Sequence, residues 1–171
     1  MVITTVMGDK RMSTLIEFNT KKAQDLIKKG KVEEGLLLLE DLCHRFPNNG
    51  YVWLNYALEL DGLSLEERAI PNYKMALKLG LNEDQQRIAL VCLASSFRNV
   101  GENVAALDTV VDAMQKYPDN PTVACFYSLI LLENQNPRHA VKILGQTLLR
   151  EADPDIFEGF KNALDEKFKC L

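Results

Sequence analysis

The sequence predicts an all-α protein: four antiparallel helix pairs stacked in series, followed by one terminal helix. Three observations lead there. Small residues recur with a period of 34, at Ala23, Ala57, Ala94 and Ser128, once three inserted residues, Asp84 to Gln86, are set aside. Helix start and stop signals fall between the recurring positions. The last 17 residues form an amphipathic pattern with no partner repeat. A period in this range is the mark of stacked supersecondary units, each unable to bury its apolar face alone.

The first dozen residues, within an extension at 1–13, are expected to carry little order. The first unit is 16–49, with Ala23, Leu26, Gly30, Leu39, Leu42 and Pro47 at repeat positions 8, 11, 15, 24, 27 and 32. Thr14 and Glu17 have the spacing of a capping box before its first helix. Gly35 stands at position 20 where alanine is usual, and Asn19 at position 4 where an aromatic is usual. The second unit, 50–83, is the best match: Trp53, Tyr56, Ala57, Leu60, Ala69, Tyr73 and Ala76 fill seven signature positions without a gap. Ser64 with Glu67 reads as a capping box for its second helix. Pro71 lies inside that helix, two residues from both Ala69 and Tyr73, and so on its outer face. A helix running from about Leu65 to about Leu79 is expected to continue through it with a bend, leaving the Glu67 carbonyl to water.

The third unit, 87–120, carries Ala94, Phe97, Gly101, Ala106, Ala113 and Pro118. The fourth, 121–154, carries Ser128, Leu131, Ala140 and Leu144, with Thr147 and Ala152 departing from the pattern. Gly30 and Gly101 mark inter-helix turns. Small residues at positions 8, 20 and 27 let two helices approach closely, and larger ones at 4, 7, 11 and 24 fill the space to the next helix. Asp153-Pro154 reads as the cap and first residue of a final helix, 155–169, whose Ile156, Phe157, Phe160, Ala163, Leu164 and Phe168 form the apolar face. Residues 14–171 are thus read as one repeat domain closed by this helix.

At 171 residues, 47% hydrophobic and 26% charged, the chain can bury a core. Its net charge of -4 and pI of about 5.3 argue against a nucleic-acid partner, which wants a basic face. No apolar run suffices for a membrane span. The N-terminus lacks a basic leader, so no signal peptide is expected. The four cysteines, Cys43, Cys92, Cys125 and Cys170, include no CxxC pair and are expected as reduced thiols of a cytoplasmic protein. His44 and His139 have no Cys or carboxylate at ligand spacing, and no phosphate-cradling or nucleophile motif occurs. Glu33-Glu34 and Glu66-Glu67 sit in first helical turns, where the helix dipole accounts for them. Neither an enzyme, a metal site nor a cofactor is therefore expected.

Taken together, Asp61-Gly62, the run AIPNYKMALKLGL at 69–81 and SSFRNVGE at 95–102 resemble a bacterial tetratricopeptide-repeat group, tetratrico peptide repeat group five, over roughly residues 50 to 150. The resemblance implies a right-handed solenoid with a concave groove and no shared catalysis. It implies a groove lined by first-helix positions near 2, 5, 9, 12 and 13. In the second unit these are Tyr51, Leu54, Leu58 and Asp61, with Asn55 beside them. The third unit gives Ile88, Val91, Ser95, Arg98 and Asn99, and the fourth Thr122, Cys125, Leu129, Leu132 and Glu133. Asp61 and Arg98 share position 12, so either they pair or Arg98 meets a ligand. One repeat subgroup clamps C-terminal carboxylates with basic residues. Here Thr20, Gln24, Ile88 and Cys92 stand at the matching places, which rules that mode out. The expectation is a non-enzymatic adaptor binding an amphipathic helix or extended apolar peptide through Leu54, Asn55, Leu58, Asp61, Ile88, Val91, Ser95, Arg98, Asn99 and Leu129. The alternative is a structural helical-repeat protein that self-associates into a homo-oligomer, such as a homodimer, through the groove or the terminal helix.

Overall fold

A computed structural model describes residues 2–171, with side chains described from Met12 onward. The expectation of little order before that point therefore concerns residues outside the described ones. Nine α-helices and one 3-10 turn are found among the described residues, with no strand. They are α1 Val2–Lys28, α2 Val32–Arg45, α3 Gly50–Gly62, α4 Glu66–Leu79, α5 Glu83–Asn99, α6 Asn103–Lys116, α7 Pro121–Glu133, α8 Pro137–Glu151 and α9 Lys161–Lys169. The chain divides into two compact units, one up to Ala89 and one from Leu90 on, and the division falls within the residues of α5.

In the first unit α1 pairs with α2 and α3 with α4, while α2 and α1 also touch α3. In the second, α7 packs on both α6 and α8, and α9 lies on α8. All twelve residues at repeat positions 8, 20 and 27 are buried, from Ala23, Gly35 and Leu42 through to Ser128, Ala140 and Thr147. The period thus reports steric need at the helix crossings. Gly35 meets that need more strictly than alanine would. A Cβ there would lie 2.7 Å from the Ala23 carbonyl oxygen and against Ile27, so glycine lets α2 approach α1. Ser128 is buried without penalty because its hydroxyl donates to the Ala124 carbonyl at 2.8 Å.

Helix starts are set by residues other than those the spacing suggested. Asn49, Asn120 and Asn136 cap α3, α7 and α8 by accepting from the amides of Val52, Val123 and His139. Ser64 caps nothing: its φ is +57°, in the turn after α3, and Leu65 precedes α4 with no side-chain bond. Thr14 likewise lies inside α1, where the neighbouring Ser13 hydroxyl donates to Glu17 at 3.1 Å. The inserted residues before the third unit are helical, which lengthens α5 to 17 residues against 13 in α3. As expected, α4 runs unbroken through Pro71, which is exposed, while Ala69, Tyr73 and Ala76 are buried.

The terminal helix differs from expectation. Asp153 does cap, but it caps a 3-10 turn, Pro154–Phe157. Glu158 and Gly159 then take φ of +49° and +84°, and α9 begins only at Lys161. Its anchor is Phe168, whose ring occupies the space a Cβ at Gly145 would need. Lys142 Nζ also donates to the Lys169 carbonyl at 2.9 Å.

Candidate functional site

In the first unit, α1 and α3 are clasped by side chains. Gln24 Nε2 donates to Asn55 Oδ1 at 3.2 Å, and Asn55 Nδ2 donates to the Tyr51 carbonyl at 2.7 Å. Asn55 is 8% exposed and Leu54 3%. Both were expected to line a groove, and both are instead packing residues between helices. Leu58 and Asp61 keep partial exposure, and Asp61 Oδ2 accepts from the Tyr73 hydroxyl at 3.3 Å. Ile88, near the end of this unit, is exposed.

A polar cleft of about 270 Å³ lies nearby, lined by Ser13, Ile16 and Glu17 of α1, Asn49 and Tyr51 at the start of α3, and Gln85 of α5. Burial, then the Glu17 carboxylate, pushes the Tyr51 phenol up, against the lowering effect of its hydrogen bond with Asn55. Tyr51 therefore remains a neutral hydroxyl at physiological pH. The polar members of this cleft, apart from Tyr51, were not among the residues expected. In the sequence Ser13 carries no signal, and Glu17 reads only as the capping-box partner of Thr14.

The second unit holds the more open face. Asn120 caps α7, Pro121 takes its first position, and Val123, Ala124, Ser128, Ile130 and Leu131 are buried. The opposite stripe, Thr122, Cys125, Leu129 and Leu132, recurs at intervals of three and four residues and is exposed throughout. Leu129 is 43% exposed and Leu132 48%. Beside it on α5, Ser95 and Arg98 are partly exposed and Asn99 is exposed. Arg98 Nη2 donates to Glu133 Oε1 at 3.0 Å, joining α5 to α7 along one edge of the stripe. Val91 departs from expectation: at 5% exposure it is a packing residue.

Chemistry of other kinds finds few groups. His139 makes an edge contact with Tyr127, ring centroids 5.6 Å apart, and His44 is exposed. Among the described residues no three His, Cys, Asp or Glu side chains are placed to hold a metal ion, and no helix is long and apolar enough to cross a membrane. All four cysteines are free thiols. Cys43 is buried, whereas Cys125 and Cys170 are exposed.

Paired helices with small residues buried at each crossing, and one first-helix face left open, define a helical-repeat protein. Residues 50–152, more than half of the chain, match the family described as tetratrico peptide repeat, TPR_5, and the chain belongs to that family. Solved structures of MamA proteins are similar in fold. MamA AMB-1 aligns with a TM-score of 0.66 at 17% identity, covering 84% of this chain and 78% of that one. MamA MSR-1 gives 0.65 at 18%, covering 89% and 78%. MamA 41-end from Desulfovibrio magneticus RS-1 gives 0.63 at 16%, covering 88% and 93%. At these identities the likeness concerns the fold alone. No curated protein matches the chain.

Proposed function

We propose that this protein is a non-enzymatic, cytoplasmic adaptor that binds a protein partner along the faces of its first helices. The observation that carries this reading is the open stripe Cys125-Leu129-Leu132 on α7, bordered by the Arg98–Glu133 pair. Apolar side chains at helical spacing, exposed and rimmed by polar groups, suit the apolar face of an amphipathic helix or an extended apolar segment. Ser95 and Asn99 supply hydrogen-bonding groups at the rim. In the first unit, taken by itself, Leu58, Asp61 and Ile88 keep exposure that suits a protein contact.

The test uses peptides selected from a displayed library on the immobilised full chain. A selected peptide is titrated against the wild type and against Leu129→Glu/Leu132→Glu. Both sites are exposed, so the helical circular-dichroism signal is expected to be retained. Affinity is expected to fall about tenfold or more, as for loss of a central apolar contact. Unchanged affinity in the folded double variant would refute this site.

A further inference from the structure

Large apolar side chains are uncovered at several places besides the α7 stripe, and two of these surfaces have surroundings of opposite charge. The first is the outer face of α1. Ile16, Thr20 and Ala23 are buried on its inner side, while Phe18 is 68% exposed and Leu15 43%. Phe18, Lys22, Asp25 and Lys29 follow one another at steps of four, three and four residues, so they form one stripe. Among the described residues Lys21, Lys22 and Lys29 have no ion partner.

The second surface is the turn between α8 and α9. Residues 151–160, EADPDIFEGF, contain four carboxylates and no basic residue. The 3-10 turn and the two left-handed residues after it leave Ile156 62% and Phe160 65% exposed. Asp155 and Glu158 are exposed and make no ion pair among the described residues.

We propose that these two surfaces dock on each other between copies of the chain, head to tail. The Phe18 face of one copy would cover Ile156 and Phe160 of the next, with the lysines set against the carboxylates. Charge complementarity selects the occupant: each surface carries the opposite sign and the apolar groups that the other lacks a cover for. Like charges oppose an α1-to-α1 or a turn-to-turn pairing. A contact between two different patches is heterologous, so each copy keeps one free face after pairing.

That asymmetry gives the test. Sedimentation equilibrium of the full chain at low salt is expected to show a mass that rises with concentration and falls as salt is added. Phe18→Glu and Phe160→Lys each alter an exposed residue, and each alone is expected to weaken association about tenfold or more. Mixed together, they should form a one-to-one dimer and nothing larger, because each variant retains the face the other has lost. Three results would overturn the proposal. The wild type could stay monomeric at all concentrations. Phe160→Lys alone could associate as well as the wild type, which would indicate α1-to-α1 pairing. Finally, Leu129→Glu/Leu132→Glu could abolish assembly while both single variants keep it, which would make the α7 stripe the interface.

Discussion

Cys43 shows how one buried residue ties packing to pH. It is 2% exposed on α2, and burial, then the Glu40 carboxylate, pushes its thiol up to about 12. The charged thiolate is thus disfavoured in the folded state. Below about pH 9 the thiol is protonated both folded and unfolded, so it adds no pH dependence. Above that, the unfolded chain releases the proton while the folded chain keeps it, and stability falls as pH rises toward about 12. Tyr51, Tyr56 and Tyr127 are shifted upward too, with burial the largest cause in each, so they add loss in the same direction. Thermal melts should therefore show a falling Tm across this alkaline range, with a shallower fall in Cys43→Ala. An unchanged slope in that variant would contradict the assignment. The sequence placed small residues correctly because one crossing constraint recurs in every unit. It could not place Leu54, Asn55 and Val91, because a repeat position names the face of a helix but not how far neighbours cover it.

Pro71 poses the same question at the level of an element. It is the sixth residue of α4, beyond the first turn where proline is tolerated, and it leaves the Glu67 carbonyl without its helical donor. The helix holds because Ala69, Ile70, Tyr73 and Ala76 are buried on its other faces. Substituting an exposed proline by alanine loses no core packing. It restores one hydrogen bond and removes the ring clash, a helix-interior difference of about 3 kcal/mol. A freer unfolded chain returns about 0.4–1 kcal/mol of that. Pro71→Ala should therefore stabilise the protein by about 2 kcal/mol, seen as a higher denaturant midpoint with an unchanged slope. A lower midpoint would mean that the proline supports a contact of its own. Continuity through Pro71 was legible from Ala69, Tyr73 and Ala76, which keep helical spacing across it, although the Ser64 cap expected to start the helix does not form. The break before α9 was not, since Ile156, Phe157, Phe160, Ala163 and Leu164 keep helical spacing across it. Gly159, with φ +84°, was the residue that marked it.

For the whole molecule, the number of helix pairs was legible from the 34-residue period, whereas the division into two compact units was not. That division falls inside α5, which runs unbroken from Glu83 to Asn99. In a repeat protein, stability is a sum of local terms and nearest-neighbour terms, so cooperativity depends on how strongly adjacent parts are coupled. A helix that belongs to both units cannot remain half formed at small cost, because breaking it sacrifices hydrogen bonds on each side of the break. The two units should therefore unfold together. The single tryptophan, Trp53, whose Nε1 donates to the Pro47 carbonyl at 2.9 Å, reports on the first unit alone. Leu131 is 3% exposed on α7 in the second unit, and Leu131→Ala should cost about 2–5 kcal/mol through lost burial and a cavity. With coupled units, that distant change lowers the Trp53 fluorescence midpoint as much as the far-UV circular-dichroism midpoint. If the Trp53 transition stays at its wild-type denaturant concentration while part of the helical signal melts early, α5 does not transmit stability and the units are independent folding bodies.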